Sequence, residues 1–220
     1  RRKMAKKVVL AGACRTAIGK MGGQFGNTPA VELGSIVIRE ALKRAGVAPE
    51  QVDEVMMGCV IQASQGQNVA RQASIKAGIP NEVPAFTLNV VCGSGLKCVN
   101  EAANMIMAGQ ADIVVAGGME SMSNAPYLTN GMRWGSRMND VVMKDAMVLD
   151  GLWCPENDVH MAVIGGSVAG EYGVTREMQD EWSYRSQKLW AEGEAKGAFD
   201  EERFPVEVVG RKGKVTVVDK

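Results

Sequence analysis

Charge of one sign is not in excess in this sequence. Lys+Arg and Asp+Glu balance at 25 each, so the electrostatic footprint of a nucleic-acid or membrane-surface binder is missing. No apolar run is long enough to span a bilayer. The five cysteines form no CxxC pair. Neither a zinc site nor a disulfide framework is therefore expected, and a reducing compartment such as the cytoplasm is. Arg1-Arg2-Lys3 ahead of Met4 lacks the apolar segment of a secretory signal. It reads as an appended or upstream-start segment, with the remnant of a trimmed targeting peptide as the alternative. No repeat and no low-complexity tract is present. Histidine is scarce too: His160 is the single one.

What is there describes an ordinary soluble globular protein, 46% hydrophobic and 23% charged. Its 220 residues suffice for one core, or for one domain plus a large excursion. Strand and helix signals alternate over the first part. Residues 8–10 start a strand. Residues 30–45 carry a helix opened by Thr28-Pro29 and closed by Gly46, and 55–61 form an almost continuously apolar strand. A helix over 67–77, a strand over 86–91, a helix from Leu96 with Gly109 just past its end, and a strand over 111–118 follow. This alternation predicts an α/β layered fold with a largely parallel sheet. Residues 119–158 are rich in Asn, Ser, Gly and Met with little periodicity, the texture of an oligomer arm or a lid. Thr175 then opens a helix to about Gly197, and 206–209 and 215–218 make a hairpin around Gly210-Arg211-Lys212-Gly213.

The stretch Asn89-Val90-Val91-Cys92-Gly93-Ser94-Gly95-Leu96 places one cysteine where strand gives way to helix. A helix N-terminus presents unpaired N–H groups and a dipole that favours negative charge. A thiol there becomes a better nucleophile, and the same N–H groups can hold a developing oxyanion. Cys92 is thus a candidate acyl acceptor. The competing reading is a small buried hydrophobe, the role expected of Cys14, Cys59, Cys98 and Cys154. The glycine spacing also approaches a phosphate loop, but it lacks the Lys-Ser/Thr ending and the full dinucleotide fingerprint.

Taken in order, the motifs resemble the N-terminal half of a thiolase. Arg15-Thr16-Ala17-Ile18-Gly19 is similar to the family's opening, and Gly66-Gln67-Asn68 with Ala70-Arg71-Gln72-Ala73 resembles its next helix. The Cys92 segment resembles its nucleophile motif. Gly117-Gly118-Met119-Glu120-Ser121-Met122-Ser123, Asn124-Ala125-Pro126-Tyr127-Leu128 and Arg133-Trp134-Gly135 continue the series. Asp150-Gly151-Leu152-Trp153, His160-Met161 and Arg176-Glu177 with Gln179-Asp180 complete it.

The resemblance implies a thiolase-like layered fold: an N-terminal βαβαβ core domain over residues 4–120 that carries the nucleophile, and a loop domain over 121–220, incomplete at its C-terminal end. It implies that Cys92 takes an acyl group from an acyl-CoA and passes it to a second acyl-CoA or to free CoA. This is two-step covalent catalysis with ping-pong kinetics. The CoA thioester is then substrate, with no metal or further cofactor. Leu152, His160 and Met161 match positions lining the pantetheine channel, although each would be a plain core or surface residue in most proteins. Residues 127–137 resemble the loop through which dimers pair into tetramers, with Tyr127, Arg133 and Trp134 as its contacts, so a homo-oligomer is expected.

Two departures accompany the match. The family's catalytic histidine, second cysteine and oxyanion-hole asparagine belong to a C-terminal half, and none occurs here. The 220 residues alone are expected not to turn over, and to leave a sheet edge open unless a separate C-terminal half joins them. After His160-Met161 the usual Thr and Glu give way to Ala162-Val163-Ile164-Gly165-Gly166-Ser167, which weakens the expected helix start. Alternative readings are a ketosynthase-like relative, disfavoured by the 117–123 and 133–135 motifs, and a non-catalytic fragment or partner subunit that binds acyl-CoA. Acyl chain length and the favoured direction are open, with a weak lean to short acyl groups.

Overall fold

The structure, a computed structural model, describes residues 7–210 and 213–220. The apolar run of residues 55–61 supplies its central strand. β1 (Glu54–Gly58) lies between β2 (Ala85–Leu88) and β3 (Val114–Gly118) in a parallel sheet of order β2-β1-β3. Strand periodicity sends alternate side chains of β1 to opposite faces. Val55 and Met57 pack with Ile38, Leu42, Val69 and Ala73 from α1 (Ala30–Ala45) and α2 (Val69–Lys76). Met56 packs the other way, with Cys98 and Ala102 of α3 (Ser94–Met107). Both faces are covered, which is why this strand reads as continuously apolar.

The α/β layered fold is as the sequence predicts, with particular differences at element ends. α1 has the expected bounds and closes on Gly46 in the left-handed conformation, φ +65°. The helix expected over 67–77 starts at Val69, because the Asn68 side chain caps it by accepting the Arg71 N–H. The strand expected over 111–118 starts at Val114, because the Asp53 carboxylate accepts the N–H groups of Asp112 and Ile113 (2.7 and 3.0 Å). The strand expected over 86–91 stops at Leu88, where the turn to Cys92 begins. Residues 8–10 form no strand, and Leu10 is 80% exposed. The segment joins other backbone further on, where the Arg15 N–H donates to the Glu202 carbonyl at 2.8 Å.

After Gly118 the chain runs through short elements, in keeping with its weak periodicity. β4 (Tyr127–Leu128) pairs with β5 (Lys144–Asp145), and β6 (Trp153–Cys154) with β7 (Val159–His160). α4 (Met161–Glu171) forms despite its glycines. His160 caps the start that its glycines are expected to weaken, its imidazole Nδ1 accepting the Ala162 N–H at 3.0 Å. α5 (Arg176–Ala195) starts on the Thr175 hydroxyl, which accepts the Met178 N–H. β8 (Val206–Val209) and β9 (Val215–Val218) make the expected antiparallel hairpin. Arg211 and Lys212 of its turn lie outside the described residues. Val206 and Val218 bury themselves against Ala17 and Phe25, which ties the hairpin to the N-terminal segment. Among the described residues no helix is long and apolar enough to cross a membrane.

Candidate active site

Between β2 and α3 the backbone makes a sharp elbow. Val91 has φ +54°, and among the described residues it is the single β-branched residue in the left-handed region. That conformation crowds an L-residue by about 1–2 kcal/mol, so the surroundings must enforce it. The Val91 N–H donates to Asn89 Oδ1 (2.9 Å), and the Val90 N–H donates to Ser94 Oγ (3.0 Å). The Ser94 hydroxyl in turn donates to the Val91 carbonyl. Two backbone bonds close the turn, Gly93 N–H to Val90 O (3.3 Å) and Ser94 N–H to Val91 O (3.1 Å). Cys92 is left exposed, one residue ahead of the helix N-cap Gly93.

Three close-packed glycines set the first turn of α3 on the sheet. A Cβ on Gly58 would lie 2.7 Å from Gly95 N, and one on Gly118 would lie 3.3 Å from Gly95 Cα. Cys92 therefore stands over the carboxyl ends of parallel strands, where open α/β sheets hold their ligands. The loop that follows β1 is secured at the same end. The Glu120 carboxylate accepts the N–H groups of Val60 (2.9 Å) and Ile61 (3.1 Å), and the Cys59 thiol at 3.5 Å. Asn89 Nδ2 reaches the Val60 carbonyl at 3.5 Å, joining this loop to the elbow.

Of the other thiols, Cys59 and Cys98 are buried as the packing role expects, while Cys14 and Cys154 are only half-buried. Burial, with the neighbouring Glu120 carboxylate second, pushes the Cys59 thiol up to about 12. Burial also raises Cys98, and it raises Cys14 against a smaller opposing pull from Arg44. Cys154 is half-buried and bonds Glu156 on its own hairpin. The polar residues of the 66–73 motif are likewise scaffold. Asn68 Nδ2 donates to Ala85 O (2.8 Å), Arg71 donates to Val83 O and Asn81 O, and Gln72 donates to Gln65 O and Gln67 O. Asn68 and Arg71 fasten α2 to the entry of β2, and Gln72 fastens it to the loop before it.

Leu152, His160 and Met161 come together around one hairpin. Leu152 ends a π-helical turn, Val148–Leu152, and β6 follows at once with Trp153 opposite His160. The turn lies against the loop after β1: a Cβ on Gly151 would sit 3.8 Å from Ile61 Cδ1. The hairpin is thus carried to the end of the sheet where Cys92 stands. His160 Nδ1 is spent on the α4 cap, which leaves the proton of a neutral ring on Nε2. Tyr127 lies at the base of a separate excursion, closed by β4–β5 and by the Ala146 N–H on Pro126 O (3.0 Å). Arg133 and Trp134 occupy a 3-10 turn within it, and Trp134 is 87% exposed. Among the described residues no group of three or more His, Cys, Asp or Glu could hold a metal ion.

Residues 8–220 match the family described as "Thiolase, N-terminal domain". The chain belongs to the thiolase family. An acetyl-CoA acetyltransferase of Cupriavidus necator is 56% identical over 206 residues, which cover 94% of this chain and 52% of that protein. An acetyl-CoA acetyltransferase of Syntrophomonas wolfei is 49% identical over 216 residues, covering 96% of this chain and 54% of the relative. The crystal structure of the Bacillus anthracis acetyl-CoA acetyltransferase superposes with a TM-score of 0.93 at 37% identity, covering 96% of this chain and 53% of that one. This thiolase chain spans about half the length of the curated relatives it matches, and corresponds to their N-terminal half.

Three residues of this candidate site are not evident from local motifs. Asn89, Ser94 and Glu120 all sit inside quoted motifs, but their work is visible only through their partners. The positive φ of Val91 is the underlying feature, and a valine gives no sequence signal of it.

Proposed function

We propose that this chain carries the nucleophilic part of an enzyme that transfers acyl groups between coenzyme A thioesters. The observation that carries the reading is the exposed Cys92 on a strained elbow at the helix end, in a chain whose relatives are named acetyl-CoA acetyltransferases. Cys92 Sγ adds as thiolate to the thioester carbonyl. Collapse of the tetrahedral adduct breaks the carbonyl-carbon–sulfur bond to CoA, which leaves as its thiolate and takes up a proton. The acyl-cysteine then gives its acyl group to the carbanion of a second acyl-CoA, forming a carbon–carbon bond as the Cys92 thiolate leaves. In the reverse sense the Cys92 thiolate adds to the 3-keto carbonyl, the C2–C3 bond breaks, the acyl-CoA carbanion takes up a proton, and CoA thiolate then removes the acyl group from Cys92. The thioester supplies its own leaving group, so the steps call for no further cofactor. By family resemblance, the base that takes the acceptor's proton is a histidine outside these 220 residues.

In this reading residues 4–120 are the nucleophile-bearing domain and 121–220 the loop domain. Leu152, His160 and Met161 line the pantetheine path, and the loop bearing Tyr127, Arg133 and Trp134 joins subunits of a cytoplasmic homo-oligomer. Short 3-ketoacyl-CoA and acetoacetyl-CoA are the favoured substrates, which would place the enzyme in fatty acid metabolism. The test is intact-mass spectrometry of the chain after incubation with acetyl-CoA, with Cys92→Ala as control. One acetyl group on the wild type and none on the variant is the expected result. A folded wild-type chain that stays unmodified would sink the reading that the helix end alone activates Cys92 as acyl acceptor, and mean that this chain by itself is not an enzyme.

A further inference from the structure

Val91 gains nothing by itself from a left-handed backbone, and a β-branched side chain is among the poorest choices for it. A residue persists in such a state when its neighbours over-determine it, and such residues gather at functional sites. At this elbow the neighbours are two side chains. Asn89 Oδ1 takes the N–H of Val91 itself (2.9 Å). Ser94 takes the N–H before it (3.0 Å) and gives its own hydroxyl proton to the Val91 carbonyl. Ser94 is buried at 4% exposure on the first turn of α3, so its grip couples the elbow to the helix end. Asn89 reaches the other way, to the Val60 carbonyl of the loop that Glu120 secures.

We propose that Asn89 and Ser94 are positioning residues for the Cys92 thiol, holding Val91 left-handed so that Cys92 stands at the N-terminal end of α3. The proposal rests on the reading of Cys92 as the acyl-accepting nucleophile. It makes a specific demand on position 91. Glycine adopts the left-handed region without a steric penalty, so with glycine there the elbow no longer needs either side chain.

The experiment follows alkylation of Cys92 by iodoacetamide in the full chain near neutral pH, read by peptide mass mapping. Buried Cys59 and Cys98 serve as unlabelled internal controls, and circular dichroism reports the fold. Asn89→Ala and Ser94→Ala should each slow Cys92 labelling about tenfold, and Val91→Gly should leave it within about twofold of wild type. Each alanine change made in the Val91→Gly background should cost less than about twofold. Wild-type labelling rates in the single variants overturn the proposal. So do double variants as slow as the single ones, because a merely structural role is not rescued by glycine at 91. Should Asn89→Ala fail to fold, Asn89→Ser keeps an uncharged acceptor two residues before the turn. It should label within about threefold of wild type, and a slower rate that Val91→Gly does not rescue overturns the role of Asn89. Iodoacetamide needs no acyl-CoA site. A missing acetyl adduct therefore counts against the proposed function alone, and unaltered alkylation against this positioning role alone.

Discussion

Cys59 and Cys92 carry the same functional group into opposite surroundings. Cys59 is 1% exposed at the end of β1 and faces the Glu120 carboxylate, while Cys92 is open to solvent four residues after β2 ends. Removal from water disfavours the thiolate, and the carboxylate at 3.5 Å adds repulsion, which moves Cys59 from its ordinary 9.0 to about 12. A raised value in the folded state means that the fold binds this proton more tightly than the unfolded chain does. The resulting stability is full below 9.0 and is lost as pH rises toward about 12. Cys59→Ala should therefore cost roughly 1–2 kcal/mol near neutral pH through the lost packing. The gap to wild type should narrow through that alkaline window in thermal melts, and a pH-independent gap would contradict the assignment. Cys92 was legible in the sequence because strand, Cys, glycines and helix are contiguous. Glu120 was not, since the amides it secures lie some sixty positions earlier and no local pattern announces such a partner.

The crossing of α3 over the sheet depends on having no side chain at position 58. An added Cβ would meet Gly95 N and the Ser94 backbone at 2.7 Å, and backbone cannot rotate aside as a side-chain end can. Gly58→Ala should destabilise the chain by about 1–3 kcal/mol. Because the displaced atoms belong to the first turn of α3, it should also slow Cys92 alkylation. Gly165→Ala in α4, where nothing lies within 4 Å, should be neutral or stabilising by up to about 1 kcal/mol. Urea denaturation of both variants measures the contrast, and equal losses would remove the steric argument. Elements were legible where their signals are local: α1 with its closing Gly46, α5 with its Thr175 cap, and the β8–β9 pairing. Their ends shifted where a remote side chain caps them, as Asp53 does before β3. The glycines of α4 weaken its start as read locally, and the His160 imidazole that caps it is not visible in that local pattern. For the site, Leu152 is carried to His160's hairpin because its neighbour Trp153 pairs with His160, a register that periodicity over two-residue strands does not encode.

Among the described residues the three-stranded sheet is paired through β1 in the middle, and β3 has a strand neighbour on one side alone. Beside it an apolar groove of about 640 Å³ runs between the N-terminal segment, α1 and α3, with Val9, Leu10, Val37, Ala41, Val99 and Val114 on its walls. Val9 and Leu10 are 71% and 80% exposed, though the sequence there has the apolar character of a strand. An open strand edge flanked by exposed apolar side chains is a template for pairing with another chain. It is also the kind of contiguous patch that monomeric proteins seldom leave uncovered. The 220-residue chain should therefore bind a hydrophobic dye while folded and sediment as larger species with rising concentration. Both positions are exposed, and lysines there charge the segment beside the edge, so Val9→Lys/Leu10→Lys should reduce both signals and leave circular dichroism unchanged. Were the wild type monomeric and dye-free at high concentration, the groove would have to be closed in solution by the chain's own N-terminal segment. If the lysine variant instead associates as strongly as wild type, the exposed β4–β5 excursion with Trp134 becomes the surface that drives association, and the open edge does not.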